Sequence, residues 1–207
     1  MNDAADSSNA RHGEQRCEIV TVAARLFREF GFKKTTVADI AQALGMSPAN
    51  IYRFFAAKSE INGEVMRRLM SEVEDALAAI VDGPGSATER LHALITTNER
   101  MNAGRYISER KLHEMVEAAF TEEWPIVKEH VNRVDQLIEA VIVSGMNSGE
   151  FAPGDAKLAA QQVHAACTQF CHPRLMVECA SWGALTSAQM VEFCLAALRA
   201  GVPAPPG

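Results

Sequence analysis

No stretch of the sequence stays apolar for the roughly 18 to 20 residues that a membrane-spanning helix requires, so no span is expected. The opening run MNDAADSSNARHGEQ lacks the apolar core of a secretory signal. Cysteine is sparse and odd in number, five in 207 residues. Without a secretory signal, that points away from a disulfide framework and toward free thiols in a reducing compartment. The expected location is the cytoplasm. Signatures of the common enzyme chemistries are missing as well: no phosphate-cradling glycine loop, no serine nucleophile elbow, no HExxH. Glu122 and Glu123 are adjacent, so on a helix they face different ways and make a poor acid–base pair. Neither an enzymatic activity nor a cofactor is expected. Strand-like alternation, internal repeats and long low-complexity segments are also absent. The fold class left standing is all-α.

What is present is unevenly distributed. Hydrophobic residues make up 48% of the chain, enough for a sizeable core. The net charge of −6 divides sharply along the sequence. Residues 11–70 carry ten Lys or Arg against six acids, residues 71–207 ten against eighteen, and the first ten residues add two acids. A basic head on an acidic body is the asymmetry expected when only one part of a chain meets phosphate.

The stretch TVADIAQALGMSPANIYRFF, residues 36–55, organises the head. Val37, Ile40, Ala41 and Leu44 recur at threes and fours, one apolar helical face. Thr36 is a good N-cap, and Asp39 suits the positive start of the helix. Gly45 is placed to end it, because the residue after a C-cap usually adopts a left-handed backbone. Ser47 then caps a second helix with Pro48 at its first position, where a missing N–H costs nothing. Ile51 and Phe55 point back at the first helix, which leaves Ala49, Asn50, Tyr52 and Arg53 on or near the outer face. A short helix presenting small, amide, phenol and guanidinium groups suits a DNA major groove. Asn50 is the candidate base reader, since its amide can bond adenine twice, and Pro48 and Ala49 offer apolar contact to thymine methyls. Thr36, Ser47, Tyr52 and Lys58 are candidates for phosphates, and Arg53 for either role.

The run GFKKTTVADIAQALGMSPANIYRFFAAK, residues 31–58, resembles the helix-turn-helix of the tetracycline-repressor (TetR/AcrR) family of bacterial transcription regulators. The matches are Gly31, Phe32, Thr35, Thr36, Val37, Ile40, Ala41, Gly45, Ser47, Ile51, Tyr52, Phe55 and Lys58, and the preceding apolar helix with Phe27 extends the likeness over residues 15–70. Phe54 departs from it, since many members carry histidine there. So does Gly63, which implies close packing or a weakened turn inside a helix. The resemblance implies a helical body behind the head and a phosphate contact at Lys58. It also implies a homodimer paired through the last two long helices, here 156–170 and 187–199. Function follows the same way: a repressor on a pseudo-palindromic double-stranded operator, released when a small-molecule effector enters the body.

Taken in order, the chain predicts a disordered arm over 1–14, a helix-turn-helix domain over 15–62, an effector-binding and dimerisation domain over 63–201 and a tail over 202–207. Arg11 and Arg16 are placed on or beside the arm, able to reach a groove or to lie in a solvated tail. About nine helices are expected: 16–30, the two of the helix-turn-helix, 58–81, one from SATE (86–89), a capping-box pattern, to 102 where Gly104 breaks it, 106–120, one from Pro125 to 147, 156–170 and 187–199, with 174–181 helical after Pro173. Tyr106, Phe120, Trp124, His164, Cys167 and Phe170 are candidates for an effector pocket. His164, Cys167, Cys171 and His172 also lie close in sequence, a soft ligand or thiol set, but no CxxC pair or nearby acid supports a metal, and no metal is expected. Two alternatives stay open: a metal- or thiol-responsive regulator on the same fold, and a helical protein-interaction module without DNA binding.

Overall fold

The computed structural model describes residues 3–108, 110–179 and 185–201, with the side chains of 3–9, 105–108, 110 and 173 outside the description. Among the described residues there are ten helices and no strand: α1 Asp3–Phe30, α2 Val37–Ala43, α3 Pro48–Ile51, α4 Lys58–Val81, α5 Ala87–Ser108, α6 Arg110–Thr121, α7 Pro125–Ser148, α8 Ala156–Cys171, α9 Pro173–Glu178 and α10 Ser187–Ala200. None of them is long and apolar enough to cross a membrane. They group into two compact units, Met1–Leu69 with Glu109–Ile126, and Met70–Ser108 with Val127–Gly207.

The first unit is built on α1. Ile19, Ala23 and Phe27, spaced at fours, are wholly buried, and Ile40, Ile51, Phe55, Ile61 and Val65 are at most 1% exposed. Each of these Ile, Val and Phe side chains contributes about 1.5–3 kcal/mol by leaving water. α6 packs against α1 and brings Leu112, Met115 and Val116 to the same apolar interior. Gly31, with φ +91, stops α1.

Two expectations are corrected in this unit. Helix α1 begins at Asp3, so residues 3–14 are helical where a disordered arm was expected. No proline falls between Asp3 and Phe30. Once 16–30 is helical, each further residue adds a backbone bond without a new nucleation cost. Gly63 is not closely packed: a Cβ built there meets nothing within 4 Å.

The second unit has an apolar core of its own. Leu77, Leu91, Leu94, Ile138, Val141, Ile142 and Leu195 are at most 1% exposed and belong to one cluster fed by α4, α5, α7, α8 and α10. Here packing is close. A Cβ at Gly145 would lie 2.2 Å from the Phe151 ring and 2.9 Å from Ala87 Cβ. The α5 start carries two acceptors. Ser86 and Glu89 form the expected capping box, Ser86 N–H donating to Glu89 Oε2 at 2.9 Å and Glu89 N–H to Ser86 Oγ at 3.2 Å. Glu150, far along the chain, takes the next two N–H groups, Ala87 at 2.9 Å and Thr88 at 3.0 Å. Gly104 does not break α5, which runs on to Ser108. An interior glycine costs only about 1 kcal/mol. Buried Asn98 and Asn102 hold this stretch, the Asn102 amide donating to Asn98 Oδ1 at 2.8 Å and to the Cys171 carbonyl at 3.3 Å.

Candidate nucleic-acid interface

Helix α2 is fixed at both ends by its own sequence. Thr36 Oγ1 accepts the Asp39 N–H at 3.2 Å, and Asp39 Oδ2 accepts the Thr36 N–H and hydroxyl, each at 2.7 Å. These bonds from Thr36, backbone first, hold the Asp39 carboxyl below its ordinary range. At the other end Gly45 has φ +65, its N–H reaches the Gln42 carbonyl at 3.1 Å, and the Met46 N–H reaches Ala41 at 2.9 Å. That is a Schellman closure, which satisfies carbonyls the helix cannot use internally.

Ser47 Oγ then accepts the Asn50 N–H at 3.3 Å, and Pro48 opens α3. The expected recognition helix over 48–54 is regular only over Pro48–Ile51. Beyond it Arg53 N–H bonds Asn50 at 3.2 Å and Phe54 N–H bonds Ile51 at 2.9 Å, the three-residue pattern of a tightened last turn. Ile51 and Phe55 are buried. Pro48, Ala49, Tyr52 and Arg53 are exposed, Tyr52 by 52%, and Asn50 is half-buried. Ser47, Pro48, Ala49, Tyr52 and Arg53 are thus exposed along one short segment with Asn50 half-buried among them, while Thr36 stands at the start of α2 and Lys58 at the start of α4.

Two groups of contacts were not anticipated from the sequence. Arg16, expected beside a disordered arm, donates from its guanidinium to the Phe54 carbonyl, lies 4.2 Å over the Phe55 ring and sits 3.6 Å from Glu64. His12 stacks at 4.7 Å on Phe54. The N-terminal part of α1 therefore braces the end of the recognition segment. The available signal was Phe54 itself, an aromatic where a polar side chain is usual. Lys58 is the second case. Its ammonium donates to the Phe32 carbonyl at 2.6 Å and is half-buried. Burial pushes its pKa down, while the Asp39 charge pulls it up. Two ammonium protons remain for another acceptor.

The residues expected to line an effector pocket are divided. Phe120 and Trp124 belong to the first unit, with Trp124 Nε1 donating to Glu122 at 2.9 Å. His164, Cys167 and Phe170 lie on α8 in the second unit. The Tyr106 side chain falls outside the described residues. His164 Nδ1 is 2.6 Å from Asp135 Oδ1. Cys167 is fully buried, and its thiol is pushed up by a hydrogen bond with Cys194 and by burial; burial pushes Cys171 up to about 12. Thiols held protonated in this way are poor nucleophiles. Among the described residues no three His, Cys, Asp or Glu groups converge as metal ligands would.

A capped helix, a Schellman turn and a second capped helix on a basic head define a helix-turn-helix DNA-binding protein. The chain belongs to the tetR family of bacterial regulatory proteins: that family's N-terminal profile matches residues 19–65, and the profile of a tetracyclin repressor-like C-terminal domain matches 87–191. It is a DNA-binding transcription regulator. The HTH-type transcriptional repressor KstR2 of Rhodococcus jostii is 28% identical over 148 residues, covering 71% of this chain and 72% of that protein. KstR2 of Mycobacterium tuberculosis is 34% identical over 94 residues, which span 45% of either chain. A TetR/AcrR-family regulator from Thermobifida fusca shares the all-α fold, with a TM-score of 0.63 at 24% identity over 92% of this chain and 100% of that one.

Proposed function

We propose that the protein is a cytoplasmic, homodimeric repressor that occupies a pseudo-palindromic operator and leaves it when a small-molecule effector binds. The observation that carries the DNA half of this reading is the outward side of Pro48–Ile51 and the turn behind it, held by caps and by buried Ile51 and Phe55. In this reading Asn50 reads a base, Pro48 and Ala49 touch thymine methyls, and Thr36, Ser47, Tyr52 and Lys58 set the register on phosphates, with Arg53 serving either role. One short segment reads few bases, so two copies on successive major grooves, about 34–36 Å apart, are needed for useful specificity. The naming of the KstR2 relatives as repressors supports the sign of regulation. The proposed division gives residues 15–62 to DNA and 63–201 to dimerisation and the effector. Within the second unit His164, Cys167 and Phe170 are proposed effector contacts. The effector acts by preferring a body conformation in which the two heads are badly spaced.

The test is a footprint on DNA upstream of the protein's own gene at two salt concentrations. A protected inverted repeat that weakens steeply with salt is the expected result. The variant Asn50→Ala should lose about 1–3 kcal/mol of operator affinity and relax one base position. An unchanged base preference would remove Asn50 from its role, and no footprint at low salt would sink the operator reading.

A further inference from the structure

The first unit holds a cleft that the DNA-binding reading does not use. It has a volume of about 670 Å³ and lies between α1, α2 and the start of α6. That is within the size range of small-molecule sites. Leu26, Phe30 and Ala43 supply apolar surface, and Phe30, on the apolar stripe of α1, keeps 50% of its area in water. The rim carries Arg25, Lys34 and Lys111 against Glu29 and Asp39.

These charges do not cancel locally. Glu29 sits 3.6 Å from Arg25, and the Asp39 carboxylate, held ionised by the Thr36 N–H and hydroxyl, stands against both Lys34 and Lys111, so the rim keeps an excess of positive charge. Lys111 donates to the main-chain carbonyl of Glu29, a neutral partner at the end of α1. No carboxylate among the described residues pairs with Lys34. Two ammonium groups with no carboxylate partner among the described residues thus border an apolar cleft. A dry ligand body would cover Phe30, and an anionic group would find charge-assisted donors.

We propose that this cleft binds a small amphipathic anion, a carboxylate or sulfonate on a ring-sized apolar body, with the anionic group at Lys34 and Lys111 and the body against Phe30. The site lies wholly in the first unit, is separate from the effector contacts above and does not depend on them. The Thr35 wall of the cleft precedes the cap of α2, so an occupant leans on the turn that sets that helix.

The experiment is a fluorescence titration of the full chain with 8-anilinonaphthalene-1-sulfonate, repeated with the uncharged N-phenyl-1-naphthylamine. The double variant Lys34→Gln, Lys111→Gln alters exposed positions only and leaves an amide donor in place of each ammonium. A saturable phase for the sulfonate that weakens at least tenfold in the double variant, and is missing for the uncharged probe, supports the site. Ala43→Trp, which fills the cleft, should abolish the same phase; its melting curve shows whether it is folded, and the lysine variant decides the matter if it is not. A titration unmoved by the lysine changes, or no saturable phase at all, overturns the proposal.

Discussion

The two units hold themselves together differently. The first shapes its helix-turn-helix by contacts that the local sequence dictates, caps at Thr36 and Ser47 and a glycine turn, set on an apolar core of its own. The second relies on a large apolar cluster and on contacts between distant segments, such as Glu150 on the start of α5. Two helix-interior glycines mark the contrast: Gly63 in the first unit faces open space, while Gly145 in the second is pressed by an aromatic ring. A DNA-reading head needs precise exposed geometry, which short polar contacts supply. A helical body draws its stability from close packing, where one added methyl is felt.

The sharpest way to break this comparison is to add that methyl. Gly145→Ala should destabilise the second unit by about 3 kcal/mol, the upper part of the overpacking range, read as a lower denaturation midpoint. Next comes the brace on the recognition segment. Arg16→Ala should cost about 1.5 kcal/mol of operator binding, as for a lost charge-assisted hydrogen bond, without moving the melting of the second unit. If Arg16→Ala leaves operator affinity intact, α1 is only a support for the core. Glu150→Ala should cost about 1 kcal/mol of stability near neutral pH, as for a lost helix cap. The backbone N–H of Thr88, then that of Ala87, holds the Glu150 carboxyl down at about 2, below its ordinary 4.5. The stabilisation is therefore complete above about 4.5 and is lost as pH falls toward about 2, so wild type and variant should converge in acid. Smallest is Gly63→Ala, which should stabilise the first unit by about 0.5 kcal/mol by restricting the unfolded chain. A loss there would mean that the open space is filled.

The legible parts of the sequence were those written within four residues. Thr36 with Asp39, Gly45, Ser47 with Pro48, and Ser86 with Glu89 each state a cap or a turn at fixed spacing, and each is present. The face of the recognition segment followed from Ile51 and Phe55. What was not legible depends on partners far along the chain. Arg16 meets Phe54 across 38 positions, and Glu150 meets Thr88 across 62. A local pattern carries no sign of either. Gly104 and Gly63 were misjudged for the same reason: a glycine in a helical pattern reads alike beside a ring or beside solvent. The proposed effector contacts were the least legible, because a buried aromatic or thiol has the same spacing whether it fills a core or lines a cavity.

The discontinuous make-up of the first unit also sets an order of events during synthesis. Residues up to Leu69 leave the ribosome with every cap of the helix-turn-helix already in hand, yet Glu109–Ile126 belongs to the same unit and comes later. At roughly 5–20 residues per second, the nascent head waits for seconds with the side of α1 that α6 will cover still bare. During that interval it exposes apolar surface of the kind that aggregates or recruits chaperones, and a truncation ending near Leu69 would make the exposure permanent.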